Sequence, residues 1–351
     1  MKTALFYGGK DIRVEDVPDP EPGPGEVLVR VRSAGICGSD LHNYRGHRPP
    51  TYPIPWQQGH ELAGEVVALG PGVETPGAGQ RVGIEAEHLV GCGECRHCRS
   101  GQYHICPSRS LRDGRPHGSH GFSELDACIA RNCHPLPDNV AFDAAALVDC
   151  YACGVHALLR AGLTPGDTVA ILGTGAIALT LGQVARAWGA GRVVMVGRRR
   201  GPLDLAFRAD AADEVVLAVE GEPAKAIMSL TSGQGADLVF ETVGGDAQLL
   251  GQAMAMARYG GTVSVLGLFM SPQTVDAGLA MRRELRVLWS NSYSTWGGVS
   301  EYDTALKLVA AGRVDPAPLI THHYPLERIA EAFAVAADKR ASGAVRVMLH
   351  P

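Results

Sequence analysis

Residues 168–178 read TVAILGTGAIA and decide the fold of the central part of the chain. Thr168–Leu172 is a short apolar run typical of a buried strand, and an apolar helical pattern follows the glycines. Gly173, Gly175 and Ala178 form the turn between them. Glycines at such a turn let the backbone approach a pyrophosphate, which then lies on the N-terminus of the helix. In this strand–turn–helix setting the string predicts a dinucleotide-binding site, whereas a glycine-rich loop alone would be weak evidence.

Strands and helices alternate after this turn, and further apolar strands are expected at 192–196, 237–240 and 261–266. Such alternation predicts an α/β fold with a doubly wound parallel sheet of the Rossmann type, which we assign to residues 151–292. Residues 1–150 are rich in Gly, Pro and short β-type runs, and these predict a mostly β, barrel-like domain. The last strand, at 344–349, has no partner in the Rossmann pattern. We therefore expect residues 293–351 to return to the first domain.

The end of the second Rossmann strand predicts which cofactor is bound. An acidic residue at this point, about twenty positions past the glycines, holds the 2′-hydroxyl of NAD. The chain instead has Gly197, followed by Arg198, Arg199 and Arg200. Guanidinium groups bind phosphate in a bidentate way, so the sequence favours NADP over NAD. A solvated basic turn without a cofactor role is the alternative.

A second motif is the cysteine run C-x2-C-x2-C-x7-C, formed by Cys92, Cys95, Cys98 and Cys106. Two-residue gaps let neighbouring thiolates converge, and four of them complete a closed tetrahedral zinc site. A closed site has no position for substrate, so we predict a structural zinc in a lobe at about 91–107. Disulfides and an iron–sulfur cluster are the alternatives.

A different set of ligand types lies upstream and near the domain junction. Cys37 and the pair His60-Glu61 come from separate loops, and Asp149-Cys150 offers a third ligand. Three protein ligands with an open fourth position suit a catalytic zinc that binds an alcohol oxygen. A lone histidine would more often be a packed core residue. Beside a cysteine, a glutamate and a zinc-type quartet, the metal interpretation is favoured.

Together these motifs make the chain resemble the zinc-containing medium-chain dehydrogenase/reductase family of alcohol, polyol and threonine dehydrogenases. The resemblance covers essentially the whole length and rests on the motif Cys37-Gly-Ser-Asp-x-His42, on Gly59-His60-Glu61, on the cysteine quartet and on the glycine turn. It implies a GroES-like barrel as the catalytic domain beside the Rossmann domain. It also implies two zinc ions per chain.

The resemblance implies a role for each matching residue. Cys37 and His60 are the implied catalytic-zinc ligands, with Glu61 as an alternate ligand or a supporting carboxylate. Ser39 is implied to take the substrate proton and His42 to relay it toward solvent. Further implied roles are the orientation of the histidine ligand by Asp40 and a contact with the cofactor pyrophosphate by Arg346.

Asp149 departs from the family pattern. Alcohol dehydrogenases have Cys at this position and polyol enzymes usually have Glu, while threonine dehydrogenases carry an Asp at a similar junction. We favour Asp149 as the third zinc ligand, directly or through water. A strand-like register would direct the neighbouring Cys150 away from the metal.

The substrate is expected to be a hydroxylated small molecule. Polar candidates near the zinc loops would be left unpaired by an apolar alcohol, which favours a polyol, cyclitol or amino alcohol as the secondary alcohol oxidised. The candidates are Tyr44, His47, Trp56, Gln57, Gln58, His117, Ser119 and His120. The alternative functions are a zinc-free enone or quinone reductase and a non-catalytic NADP-binding relative.

Bulk properties limit the partners. The chain has 351 residues with a net charge of −5 and no long basic stretch, which argues against nucleic acid as a partner. We expect no apolar segment of the length needed to cross a membrane, about 18–20 residues. Nine cysteines with metal-like clustering fit a reducing cytoplasm. Relatives are dimers or tetramers, and the strand at 284–289 is a plausible edge for pairing.

Overall fold

A computed structural model describes residues 1–47, 54–85, 91–108 and 120–351. The chain divides into two compact units, and the first contains Met1–Asp149, Gly297–Ala310 and Ile320–Pro351. The second contains Cys150–Trp296 and Ala311–Leu319. The expectation that 293–351 lies wholly in the first domain is therefore wrong for 293–296 and for Ala311–Leu319.

Hydrogen bonds to the second unit explain why the segment Ala311–Leu319 belongs to it. The Gln183 side-chain amide donates to the Asp315 carbonyl at 2.9 Å, and the Asp315 N–H donates back to Gln183 Oε1 at 3.2 Å. This reciprocal pair of hydrogen bonds holds the segment against a helix of the second unit. No apolar periodicity marks such a contact in the sequence.

Strands and helices follow one another along the chain in the order below. The strands are β1 (Lys2–Gly8), β2 (Asp11–Asp16), β3 (Glu26–Gly35), β4 (Glu61–Leu69), β5 (Arg81–Ile84), β6 (Leu125–Ile129), β7 (Cys133–Pro135), β8 (Thr168–Leu172), β9 (Arg192–Gly197), β10 (Glu214–Leu217), β11 (Ala236–Glu241), β12 (Ala257–Val265), β13 (Arg286–Trp289), β14 (Thr295–Trp296), β15 (Val299–Ser300), β16 (Ile320–Pro325) and β17 (Arg346–His350). The α-helices are α1 (Gly38–Tyr44), α2 (Arg96–Arg99), α3 (Phe142–Ala146), α4 (Val148–Ala161), α5 (Ala176–Ala187), α6 (Arg200–Arg208), α7 (Pro223–Leu230), α8 (Leu250–Met256), α9 (Ala277–Arg283), α10 (Glu301–Ala310), α11 (Ile329–Ala337) and α12 (Lys339–Ser342). Single turns of 3-10 helix occur at Tyr103–Ile105, Ala130–Asn132, Ala317–Leu319 and Leu326–Arg328.

The first unit is built on a mostly antiparallel sheet in the order β16-β17-β3-β4-β5-β7, with β6 also paired to β3. In β3 the residues Val27, Val29 and Val31 are buried while Arg30 and Arg32 are exposed. This alternation places one face of the strand on the core, because successive side chains point to opposite faces. The last strand, β17, pairs with β3, which confirms that the C-terminus returns to the first domain.

The second unit contains a parallel sheet in the order β10-β9-β8-β11-β12-β13. Renumbered from its first strand, this order is 3-2-1-4-5-6, which is that of a dinucleotide-binding doubly wound sheet. The central strands β8, β9 and β11 are nearly continuous in burial, because helices cover both faces of such a sheet. The predicted Rossmann sheet is confirmed.

The expectation about membrane-length segments is wrong as stated. Phe142–Ala161 is 20 residues long and apolar enough to cross a membrane by length and composition. However, 72% of its most apolar window is buried inside the protein, where it forms α3 and the helix α4. A buried core helix passes the same test, so this segment is weak evidence for a membrane span.

Candidate zinc and cofactor sites

The four sulfur atoms of the cysteine quartet all lie within 4.8 Å of one another. Their separations are 4.0 Å for Cys92–Cys98, 3.6 Å for Cys95–Cys98, 3.8 Å for Cys95–Cys106 and 3.6 Å for Cys92–Cys106. Four sulfurs bound at about 2.3 Å to one zinc ion would lie about 3.8 Å apart. A disulfide would need about 2.05 Å. The donor set therefore fits one closed zinc site.

Backbone N–H groups of the same loop point at the quartet. The Cys95 N–H donates to Cys92 Sγ at 3.4 Å, and the Cys98 N–H donates to Cys95 Sγ at 3.4 Å. The hydrogen bond from Cys95 is the main reason that the pKa of Cys92 is lowered to about 6. Burial raises the pKa of Cys98 to about 12. The loop thus stabilises a thiolate at Cys92, whereas Cys98 needs the charge of a metal to lose its proton.

Two features of this lobe have no signal in the cysteine spacing. A Cβ atom at Gly91 would lie 2.2 Å from Cys98 Sγ, so only glycine fits there. The Tyr103 hydroxyl donates to Glu85, whose other oxygen is 3.0 Å from His134 Nε2. Glu85 follows β5 and His134 lies in β7, so this buried carboxylate fastens the lobe to the sheet of the first unit.

Three of the upstream ligand candidates lie close together. Cys37 immediately precedes α1, His60 immediately precedes β4, and Glu61 begins β4. One ligand atom of each lies within 4.8 Å of the others. A thiol, an imidazole and a carboxylate at this distance form a donor set that suits zinc.

Asp40 holds this loop in place. Its Oδ2 accepts the Cys37 N–H at 2.8 Å, which caps the first turn of α1. Its Oδ1 is 3.8 Å from His60 Nδ1. Burial raises the pKa of Asp40 to about 6. Burial lowers the pKa of His60, but Cys37, Asp40 and Asp149 together hold it well above its usual value, so negative groups that attract a cation surround this imidazole.

Asp149 lies in the first turn of α4, which begins at Val148. The expected strand-like register at this junction is therefore wrong. Asp149 is buried, and one of its carboxylate oxygens lies within 4.8 Å of one of Glu61. Cys150 is also buried and follows it in the same turn, and its Sγ lies within 4.8 Å of an Asp149 carboxylate oxygen. The expectation that Cys150 points away from Asp149 is therefore wrong.

Glu61 and Arg346 form a buried ion pair. Arg346 Nη2 lies 2.5 Å from Glu61 Oε1, and the two side chains are 3% and 0% exposed. Arg346 Nη1 also donates to the Ile36 carbonyl at 2.8 Å. These contacts within the first unit are additional to the expected cofactor role of Arg346, which stays a prediction. They bind the last strand to Ile36, which immediately precedes the candidate ligand Cys37.

Ser39 and His42 lie three residues apart on α1, so they share a face of the helix. Ser39 is exposed and His42 is half-buried. The His42 ring stacks on His47 at a centroid distance of 6.0 Å. Burial, with Arg45 and His47 nearby, lowers the pKa of His42, so its imidazole is neutral near neutral pH and can accept a proton.

The glycines of the cofactor turn differ in their surroundings. Gly173 has a φ of +123°, and a Cβ there would lie 2.3 Å from Thr242 Oγ1, so the turn itself requires glycine. A Cβ at Gly175 would meet no atom within 4 Å. Gly175 caps the N-terminus of α5, and the fully buried Ala178 lies in the first turn of that helix. The open space beside a helix N-terminus fits a pyrophosphate group.

Gly197 ends β9 and has a packing reason that the sequence pattern did not reveal. A Cβ at this position would lie 2.6 Å from Thr174 Cγ2 and 3.0 Å from Leu203 Cδ2. Arg198 and Arg199 are both exposed just beyond it. The second unit therefore presents two guanidinium groups where a 2′-phosphate would be expected from the position of the turn.

Several expected pocket residues pack elsewhere. Tyr44 and Trp56 belong to the hydrophobic core, where Tyr44 packs on Phe333 at 5.5 Å and Trp56 stacks on Phe6 at 5.7 Å. Burying the surface of a large aromatic ring stabilises the fold, so both rings pack into the core. The loop sequence does not show which neighbours would bury them.

The expected polar pocket residues have hydrogen bonds inside the first unit. Gln57 Nε2 donates to Thr3 Oγ1 at 2.8 Å, and Gln58 Oε1 accepts from Asn43 Nδ2 at 2.9 Å. Gln58 Nε2 is buried and has no hydrogen-bond partner among the described residues. His117 and Ser119 lie outside the described residues, while His120 Nδ1 lies 3.6 Å from Asp126.

Two family models match the chain. Residues 23–138 match the alcohol dehydrogenase GroES-like domain, and residues 176–311 match the zinc-binding dehydrogenase domain. Over 354 aligned residues the chain is 31% identical to sorbitol dehydrogenase of Bacillus subtilis, covering 100% of this chain and 97% of that enzyme.

Solved structures match over the full length. A putative zinc-binding dehydrogenase from Sinorhizobium meliloti bound to NADP has a TM-score of 0.88 and 29% identity, covering 100% of this chain and 99% of that chain. An alcohol dehydrogenase from E. coli CFT073 complexed with NADH has a TM-score of 0.89 and 26% identity, covering 100% and 99%.

Proposed function

The chain belongs to the zinc-containing medium-chain dehydrogenase family, and on this premise we propose that it transfers hydride reversibly between a hydroxylated secondary alcohol and NADP. The meeting of Cys37 with the consecutive pair His60 and Glu61 from another segment carries the proposal. We propose that Cys37, His60 and Asp149 hold a catalytic zinc and that the quartet holds a structural one. When bound, the catalytic zinc supplies Lewis acidity that lowers the pKa of a substrate hydroxyl.

The residues of α1 would then handle the proton. Ser39 is exposed and can accept it from the substrate hydroxyl, while the neutral His42 on the same helical face can pass it to solvent. Glu61, held by Arg346, places a carboxylate beside the proposed ligands. That carboxylate offers an alternate ligand for the metal cation.

The Gly173–Gly175 turn and the exposed Arg198 and Arg199 support NADP as the preferred cofactor. The turn leaves room for a pyrophosphate, and the arginines supply forked donors suited to a 2′-phosphate. Relatives of this fold are complexed with either NADP or NADH. The choice therefore depends on the residues at the end of β9.

The substrate we propose is a polyol, cyclitol or amino alcohol. The similarity to sorbitol dehydrogenase supports this class. Gln58 lies two residues before the proposed zinc ligand His60. Its buried amide nitrogen has no hydrogen-bond partner in the part of the chain that the structure describes, so it is a candidate donor to a substrate hydroxyl.

We further propose a cytoplasmic homodimer or homotetramer. In the second unit, β13 ends the order of the parallel sheet, and its Trp289 is 58% exposed. An exposed sheet edge with an apolar side chain is a surface suited to pairing with a second copy.

The alternative functions require different metal sites. A zinc-free enone or quinone reductase needs neither Cys37 nor the quartet, and a non-catalytic relative needs no exposed Ser39 beside the ligands. The convergence of the upstream ligands favours the enzyme over both. Counting zinc at these two sites alone separates them, with about two ions for the enzyme, one for a lobe-only relative and none for the reductase.

The direct test follows the nicotinamide absorbance with a panel of polyols, cyclitols and amino alcohols, each with NADP and with NAD. We expect turnover with at least one class, and about 10²- to 10⁴-fold less for Ser39→Ala. Ser100→Ala, which changes another exposed serine in the zinc lobe, is the matched control. Absence of turnover with the whole panel, or equal activity of both variants, would overturn the proposed role.

A further inference from the structure

A third group of metal-ligand types lies in the first unit, apart from both zinc candidates. Asp143 in α3, His323 in β16 and His350 in β17 each direct one ligand atom into a common space, with all three atoms within 4.8 Å of one another. The three residues come from separate segments of the chain. None of them belongs to the zinc or cofactor motifs.

The two histidines lie close to different oxygens of the Asp143 carboxylate. His350 Nε2 is 2.8 Å from Asp143 Oδ1, and His323 Nδ1 is 3.5 Å from Asp143 Oδ2. The rings stack at a centroid distance of 5.3 Å and an interplanar angle of 15°. Ligands bound at about 2.0–2.2 Å in a tetrahedral shell would lie about 3.3–3.5 Å apart, so small adjustments would fit one ion between these atoms.

The carboxylate is itself oriented by a buried neighbour. Ser33 is fully buried in β3, and its hydroxyl donates to Asp143 Oδ1 at 2.5 Å. Carboxylates that bind metals are commonly held in this way by a hydrogen-bond donor behind them. The donor fixes Asp143 before any ion arrives, which lowers the entropy cost of assembling the ligands.

We propose that Asp143, His323 and His350 form a surface zinc site that fastens the C-terminal strand β17 and its neighbour β16 to α3. Two imidazoles and one carboxylate form a nitrogen and oxygen donor set that suits zinc and disfavours magnesium or calcium. The side chains are 26%, 50% and 38% exposed in that order, so solvent can reach the site. Water then fills the remaining coordination position.

Without a metal, the Asp143 carboxylate would form an ion pair with the stacked rings of His323 and His350. One carboxylate carries a single negative charge, so it balances only one imidazolium, and two protonated rings 5.3 Å apart would repel each other. A divalent ion bound to neutral rings satisfies both nitrogens and the carboxylate at once. The two states predict different metal contents and can be separated experimentally.

The test uses the full-length protein without a histidine tag, dialysed against micromolar zinc, with bound metal counted by elemental analysis. We expect the wild-type protein to retain one ion per chain more than His323→Ala, and titration calorimetry to show at least about tenfold weaker binding of that ion in the variant. Because only the difference between proteins is used, zinc at the other sites cancels. The result is therefore independent of the proposed dehydrogenase function.

His322→Ala is the matched control, because His322 is the adjacent residue of β16 and its Nδ1 lies 3.0 Å from Thr321 Oγ1, outside the group. It should retain as much zinc as the wild type. Asp143→Asn keeps the side-chain shape and should lose the same ion as His323→Ala. Equal zinc in the wild type and His323→Ala overturns the site in favour of the ion pair. Loss of the same ion from His322→Ala overturns it in favour of unspecific surface binding.

Discussion

Replacing both Arg198 and Arg199 with alanine tests the cofactor preference directly. The two side chains are exposed beyond the end of β9, so their removal leaves no buried hole and the fold should be retained. A hydrogen bond to a charged group contributes about 1.5–3 kcal/mol, and exposure places these two at the lower end of that range. About 1.4 kcal/mol corresponds to a factor of ten. The KM for NADP should therefore rise about tenfold for one arginine and up to about a hundredfold for both.

Initial rates with NADP and with NAD measure this effect, because NAD lacks the phosphate that the arginines would bind. The KM for NAD should change little. Arg200→Ala is the matched control, since Arg200 is also exposed but lies 3.5 Å from Glu220 in an ion pair. Equal losses with both cofactors, an equal effect of Arg200→Ala, or a wild-type preference for NAD would refute the reasoning.

Further predictions concern the metal sites and the turn. Cys98→Ser should remove about one zinc ion per chain and lower the melting temperature, because three thiolates cannot close a tetrahedral site; unchanged zinc and melting would exclude the quartet as a metal site. Gly175→Val should weaken NADP binding and lower the melting temperature only slightly, since its Cβ would meet no atom within 4 Å although valine is a poorer N-cap than glycine. Gly173→Ala should lower the melting temperature more, because its Cβ would lie 2.3 Å from a threonine hydroxyl; equal melting temperatures of the two variants would contradict this difference. Asp149→Ala should lose turnover and one zinc ion by elemental analysis, while the quartet zinc is kept. Cys150→Ser should change turnover and zinc content little. The reverse result for the two variants would make Cys150 the ligand.

Sites formed by residues a few positions apart in the chain could be predicted from the sequence. The quartet spans fifteen residues from Cys92 to Cys106, and its two-residue gaps allow the sulfurs to converge. The glycine turn follows a strand and opens a helix, and the structure has those elements at Thr168–Leu172 and Ala176–Ala187. The cause is local in both cases, because the conformation of a few consecutive residues places the functional groups.

The junction at Asp149 shows where local patterns failed. The run around Val148 is apolar enough for a buried strand or a buried helix, and periodicity alone does not separate them over so few residues. The structure has α4 there. The expectation that Tyr44 and Trp56 face a pocket failed for a related reason, because a polar loop motif does not reveal which aromatic rings will be buried under it.

By itself the sequence determined the sheet type of the second unit, the zinc-type quartet and the ligand types of the upstream site, because each is recognisable from short runs of neighbouring residues. Only the tertiary structure decided the pairing of Glu61 with Arg346, which are 285 positions apart, and the meeting of Asp143 with His323 and His350. Contacts at such separations depend on how the sheet brings its strands together. A side chain's partners across that distance are fixed by the packed fold as a whole, and no local spacing encodes them.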